Sequence, residues 1–308
     1  MPSPIVHLIF ATFVASPAQL DNALILAESV RSFAGQYRES PVWVYMPHDA
    51  PPPDVEKDAR LKALKIEIKH GEAPEEARWF YYADKVFAAA DAERLAEGHC
   101  AVLVWMDDDT IILREPTAFV LDTAHSFGYV PVMHNRSGTL YGEPSIPFWK
   151  RVFEKLAIDD DKLFAMTTIA DRQVIRAYFH VGLMVVRPEA GVFRLWAKSF
   201  RMLYEDLVLA EMCRADAVWR IFIHQAALVS VLNLLGKEQM IELPGTYNYP
   251  LFFEKVYDSD ITFGSIENVV TLRHEAFAEA RKPGWSRELK GPAQVIAWLK
   301  EHLGGDQP

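Results

Sequence analysis

The chain is 308 residues long and half of it is apolar, enough to bury a large core in one big domain or two ordinary ones. With 32 Lys and Arg against 42 Asp and Glu, its formal charge of -10 argues against a general nucleic-acid or anionic-membrane binder, because affinity for phosphate backbones comes largely from Lys and Arg. Cys100 and Cys213 are the only cysteines and form no CxxC or Cys/His ladder, so no disulfide framework or structural zinc site is indicated and a reducing, cytoplasmic setting is expected.

The opening MPSPIVHLIF has no basic segment before its apolar run, and Ser16-Pro17 soon interrupts it, so residues 5–14 read as a first strand rather than a secretory leader. Residues 18–33 carry apolar side chains at helical spacing (Leu20, Leu24, Leu26, Ala27, Val30) and stop at Gly35. Residues 41–46 predict a second strand, Pro51-Pro52-Pro53 a stiff turn and the alternation over 64–68 a third strand. A long helix is expected over 75–96, followed over 101–106 by a fully apolar strand of the kind covered on both faces. Strands alternating with helices imply a parallel, doubly wound sheet.

Beyond this point the pattern loosens. Residues 130–147 are rich in Gly, Pro and Ser. A strand then returns over 178–187 and is closed by Pro188, with helices over 192–204 and 219–235, a late strand over 269–272 and a closing amphipathic helix over 292–303. No run reaches the ~18 apolar residues a membrane-spanning helix needs. Peripheral attachment to a membrane through a partner stays open. No internal repeat, low-complexity tract or linker divides the chain, so a single domain over 1–308 is expected.

Two segments carry chemistry. Asp107-Asp108-Asp109-Thr110 follows the buried strand, and ligands of open sheets collect beyond the carboxyl ends of strands. Residues i and i+2 of an extended or turning segment project to one side, so Asp107 and Asp109 can share a cation while Asp108 points elsewhere. Their hard oxygens suit Mg²⁺ or Mn²⁺ bridging two phosphates, although such a run can also be a solvated acidic turn. The second segment is Arg273-His274-Glu275 through Lys282-Pro283-Gly284-Trp285, in which His274 would project from the late strand's end toward the metal and Lys282 would meet a phosphate. The bland reading there is a surface histidine and an ordinary turn. Trp79-Phe80-Tyr81-Tyr82 reads as core aromatics or a sugar-stacking platform, and Asp159-Asp160-Asp161 as a solvated turn.

These segments resemble a known family. The strand with Asp107-Asp108-Asp109 looks like the DxD segment of glycosyltransferases with the GT-A fold, and His274 through Trp285 is similar to the H-x-x-G-x-x-K-P-W segment of the glycogenin and lipopolysaccharide galactosyltransferase family. Phe179-His180-Val181-Gly182 resembles that family's F-N-A-G strand and His224-Gln225 its D-Q helix start, with His standing for Asn and for Asp. The His274 to Lys282 spacing is longer than in the family and lacks its internal Gly.

The resemblance implies an α/β GT-A fold, a mixed, mostly parallel sheet flanked by helices, with residues 1–125 binding the nucleotide sugar and 126–308 facing the acceptor. It implies Mn²⁺ or Mg²⁺ on Asp107, Asp109 and His274, and donor contacts from Thr12, Val14, Lys85, Asp107, Asp108, Gly182 and Lys282. Gln225 and Lys85 would serve catalysis. A UDP-sugar would be the donor, a glycan, lipid-linked or protein hydroxyl the acceptor, and the outcome retention of configuration. Two alternatives stand beside it: a haloacid-dehalogenase-type phosphatase using Asp107 and Asp109, for which Asp107-Asp108-Asp109-Thr110 after an apolar strand is read against the D-x-D-x-T motif, and an inactive nucleotide-sugar binder.

Overall fold

The computed structural model describes residues 8–16, 19–251, 264–274, 285–286 and 289–304. Among them, seven strands make one sheet in the order β10-β6-β9-β4-β1-β2-β3. These are β1 (Leu8–Phe13), β2 (Val42–Met46), β3 (Ile66–His70), β4 (Val102–Met106), β6 (Phe127–Pro131), β9 (Phe179–Val186) and β10 (Met240–Glu242). Pairings β1 with β2, β2 with β3, β1 with β4 and β10 with β6 are parallel, whereas β9 runs antiparallel to both β4 and β6. The sheet is thus mixed and mostly parallel, as the resemblance implied.

Its apolar strands are buried because helices cover both faces. Every residue of β2 and β4 is buried. One face, with Ile9, Ala11, Leu103 and Trp105, packs with α3 (Ala83–Ala96) and α5 (Val192–Tyr204). The other, with Leu8, Phe10, Val102 and Val104, packs with α1 (Leu20–Phe33). The edge strand β3 alternates Ile66 and Ile68 with Glu67 and Lys69, charges that discourage pairing with a further chain.

A second, three-stranded sheet positions the site. In it β12 (Thr271–Arg273) lies between β11 (Tyr249–Pro250) and the short β5 (Thr110–Ile112) that follows the acidic triplet. The β12–β5 pairing is antiparallel and sets Arg273 opposite Thr110. Ser29 of α1 fixes β5 from below: its hydroxyl donates to the Leu26 carbonyl at 2.6 Å and accepts from the Ile112 N–H at 2.9 Å. A small hairpin, β7 (Ala165–Thr167) with β8 (Val174–Arg176), completes the strands.

Several expectations need correction. The helix expected over 75–96 begins only at Ala83, because Tyr82 adopts a left-handed backbone (φ 62°) and a single 3₁₀ turn, Glu75–Ala77, precedes it. The break lets Phe80 enter the core against Phe200 and Tyr204 while Tyr81 and Tyr82 stay exposed. Two helices were not anticipated: α2 (Val55–Ala63), capped by Asp54, and α6 (Leu207–Ala215), capped by Asp206. Helix α7 (Ala217–Ala227) starts earlier than the apolar pattern indicates and passes into a 3₁₀ turn, Leu228–Asn233. The strand β6, only whose last two residues fall in the stretch read as rich in Gly, Pro and Ser, pairs with β9 and is wholly buried. The short helix α4 (Pro147–Leu156) and the closing helix Ala293–Leu303 complete the described helices.

Asp206 caps α6 by accepting from the Val208 and Leu209 N–H groups at 3.2 and 3.1 Å and also binds Arg151 at 2.6 Å. The Arg151 hydrogen bond, outweighing burial, holds its carboxyl down to about 2. Asp206→Ala should therefore cost about 1–2 kcal/mol, read as a lower Tm at pH 7. The loss should shrink as pH falls through the window from the ordinary carboxylate value toward 2, because the wild-type carboxylate's own contribution disappears there.

Candidate active site

In the order 3-2-1-4, β1 is flanked by β2 and β4, and the crevice beyond their carboxyl ends is where open sheets of this kind bind ligands. A cavity of about 620 Å³ opens there, lined among others by Phe13 at the end of β1 and Ala15 beyond it, Asp107–Asp109 after β4, and Gln225 of α7. A second cavity of about 320 Å³ adjoins it and shares Tyr82, His180, Phe222, Gln225 and Arg273.

Charge is concentrated on the floor of the larger cavity. The Arg273 guanidinium forks onto Asp109, Nε to Oδ1 and Nη2 to Oδ2 both at 3.0 Å, and Nη2 also reaches Asp107 Oδ2 at 3.2 Å. The Lys85 ammonium donates to Asp107 Oδ1. Burial alone would raise the Asp107 pKa, but Lys85 and Arg273 outweigh it and hold the carboxyl far below its ordinary range. Burial likewise works against the charged guanidinium, and Asp109 and Asp107 more than restore it. Asp108 turns away from this cluster and accepts from Asn22 Nδ2 at 3.3 Å.

Two neutral histidines wall the cavity. His180 Nδ1 accepts from the Gly182 N–H at 2.9 Å, which leaves the ring proton on Nε2. His224 Nδ1 must donate to the Ile221 carbonyl, 2.6 Å away, because that oxygen can only accept. Burial first, and for His180 then Arg273, for His224 then Lys85, push both rings down to about 3. Gly182 is required by crowding: a Cβ there would lie 2.5 Å from His180 Cε1 and 2.6 Å from Asp107 Oδ2.

The structure brings together Lys85, Asp107, Asp108, Asp109, Gly182 and Gln225 from the expected set. The side chains of Thr12 and Val14 are fully buried, Val14 in the layer facing α1, while Phe13 and Ala15 line the cavity, since alternate residues of a strand face opposite ways. His274 is buried, with its backbone N–H on the Asp109 carbonyl at 3.0 Å. Lys282 lies outside the described residues. Sequence reasoning passed over Arg273. The only signal for it was a cation at the end of the late strand, and its meaning needs the β12–β5 register.

An ion held by Asp107 and Asp109 was expected, and their donor chemistry suits a hard divalent cation. Yet the four carboxylate oxygens of the pair are already taken: three accept hydrogen bonds from Arg273 or Lys85, and Asp107 Oδ2 lies 3.2 Å from Nη2 of Arg273. No group of three His, Cys, Asp or Glu among the described residues is arranged to hold a metal. The residues as arranged do not fit a divalent ion.

A family model described as the Rhodobacterales glycosyltransferase domain matches residues 11–236, well over half of the chain, so the chain belongs to that glycosyltransferase family. Accordingly it is a glycosyltransferase with the GT-A fold, and the phosphatase alternative falls away: its motif belongs on the first strand of a domain, whereas Asp107 follows β4. No curated protein matches the sequence. Among solved structures, WbbM, a bifunctional glycosyltransferase in its apo form, superposes with a TM-score of 0.56 at 10% identity over 99% of this chain and 51% of that one. The galactosyltransferase LgtC, in complex with donor and acceptor sugar analogs, gives 0.49 at 13% identity over 94% and 95%. Mouse xyloside xylosyltransferase 1 gives 0.45 at 11% identity over 88% and 98%. At these identities the likeness concerns the fold, and the WbbM superposition carries it.

The neutral histidines have a consequence for stability. Their folded pKa of about 3 lies below the unfolded value of 6.5, so the unfolded chain binds protons first and stability is lost as pH falls from 6.5 toward 3. Each ring contributes a slope of up to about 1.4 kcal/mol per pH unit in that window. Urea midpoints should fall between pH 6.5 and 5, and His224→Gln should flatten the decline; an equal slope in the variant would refute the assignment. Gly182→Ala should displace His180 or Asp107 at a cost of about 1–3 kcal/mol, visible as a lower Tm together with lost activity.

Proposed function

We propose that this glycosyltransferase takes its sugar from a nucleoside diphosphate sugar, a UDP-sugar on the strength of the family resemblance, and delivers it to an acceptor hydroxyl with retention of configuration. The observation that carries the reading is the charged floor of the switch-point cavity, where Lys85 and Arg273 meet the carboxylates of Asp107 and Asp109 beside Gln225. A diphosphate entering there finds two fixed cations that need no reorganisation as negative charge grows on the leaving oxygen, the arrangement that contributes most in reactions of this type.

Roles follow from position. Lys85, on the first turn of α3 and nearly buried, is a point charge aimed at the diphosphate. Gln225 faces both cavities, placing its amide where the transferred sugar would pass from donor to acceptor. It is an amide and not a carboxylate, which accords with retention without a protein nucleophile. Phe13 and Ala15 lie where the base would bind, and the smaller cavity, lined by His134, Arg136 and Tyr178, would receive the acceptor. Asp107 and Asp109 act by holding the cations; the divalent ion implied by the resemblance has no part in this reading.

Thermal-shift titration with UDP, GDP and ADP should show stabilisation by one of them, and the matching nucleotide sugar should be slowly hydrolysed to free nucleotide. Lys85→Ala should lower kcat/KM by about 10²–10³-fold while the protein stays folded. A protein indifferent to all three nucleotides, with no donor turnover, would overturn the proposal.

A further inference from the structure

Asp107 and Asp109 offer four carboxylate oxygens, and each is spoken for: Oδ1 of Asp107 by Lys85, Oδ2 of Asp107 and both oxygens of Asp109 by Arg273. Arg273 does not reach the site by the chance swing of a long side chain. Its Cα is fixed opposite Thr110 by the β12–β5 register, and the next residue's N–H binds the Asp109 carbonyl at 3.0 Å, so the guanidinium is tied to Asp109 by backbone and side chain together. The fork is the two-point geometry that suits guanidinium to carboxylate and that lysine cannot copy.

A divalent ion on the same oxygens would have to expel that guanidinium into a cavity wall holding Lys85, leaving a cation without its counter-charge. Meanwhile Nη1 of Arg273 lies 3.5 Å from His180 Nε2, and Arg273 and Lys85 both line the cavity that a donor would fill. The two carboxylates fix the direction of the cations, much as outer partners orient the ligands of a metal.

Resting on the reading of the chain as a nucleotide-sugar transferase, we propose that Arg273 and Lys85 take the place of a divalent cation, neutralising the departing diphosphate, and that Asp107 and Asp109 are positioning residues for them rather than metal ligands. In the step, the acceptor oxygen bonds to the anomeric carbon as the bond from that carbon to the diphosphate oxygen breaks. The electron pair goes to that oxygen, and the acceptor's proton is passed to the released nucleoside diphosphate. No oxidant, reductant or metal is needed for the balance.

The test combines three measurements on the full chain. First, nucleotide affinity and donor turnover are measured with EDTA and with added Mn²⁺; equal values in both are expected. Second, the electron paramagnetic resonance signal of free Mn²⁺ already equilibrated with nucleotide is followed as wild-type protein is added, and the protein should cause no further loss. Third, Arg273→Met should lose about 10²–10³-fold in EDTA-resistant kcat/KM and, with its carboxylates released, should quench the free Mn²⁺ signal. Arg273→Lys, which keeps the charge and loses the fork, should recover only part of the activity. If Arg273→Met does not fold, the first two measurements decide alone. Nucleotide binding that vanishes in EDTA, or a further loss of the Mn²⁺ signal when wild-type protein is added, would overturn this inference and leave the transferase reading standing. Absence of nucleotide binding and donor turnover under both conditions would overturn both.

Discussion

The ion pairs joining Arg273 to Asp109 and Asp107 connect two otherwise separate pieces of the molecule. Asp107 ends the central strand of the large sheet, while Arg273 ends the middle strand of the small one, and 164 residues separate Arg273 from Asp109. Burying three such charges costs several kcal/mol per ion unless their partners are well placed. The fork, the second contact to Asp107 and the Lys85 ammonium meet that condition. Losing one member of such a pair typically costs about 3–5 kcal/mol, so the register of β12 against β5 and the electrostatics of the cavity are parts of one constraint.

Around this cluster the remaining polar groups are kept neutral or turned aside. His180 and His224 sit close enough to Lys85 and Arg273 that burial and positive charge together exclude a second ring proton from each. Asp108 leaves the cluster for Asn22 on α1. Tyr82, held in a left-handed backbone at the mouth of both cavities, packs its ring on His224 at a centroid distance of 4.9 Å. Strain of that kind persists where surrounding packing enforces it, and here it ends the loop before α3 so that Lys85, one turn on, points at Asp107. The glycosyltransferase is thus built with its charge preorganised before any ligand arrives.

Much of this was legible in the residues. The apolar runs over β1, β2 and β4 announced strands, that of β4 one buried on both faces, and the acidic triplet after β4 announced a candidate ligand site at a strand end. The divergence of Asp108 from Asp107 and Asp109 followed from the two-residue period of extended chain. Elsewhere local signals misled. Aromatics over 79–82 continue a helical pattern that Tyr82 breaks, because Phe80 gains more from the core around Phe200 and Tyr204 than the helix gains from one more turn. Thr12 and Val14 were expected at the ligand, but the parity of β1 sends them into the core and presents Phe13.

The sequence by itself determined the fold class and the strand that carries the acidic triplet, since periodicity and side-chain chemistry are local properties; for Asp107 and Asp109 it suggested a positive partner and named a divalent ion. The identity of that partner was decided only by tertiary structure. Arg273 and His274 are neighbours in sequence, and nothing local says which will face the carboxylates. The antiparallel register that sets Arg273 opposite Thr110 makes the choice, giving the guanidinium to Asp109 and burying the imidazole behind it. A pairing across 164 residues is a property of the packed sheets and of no shorter segment.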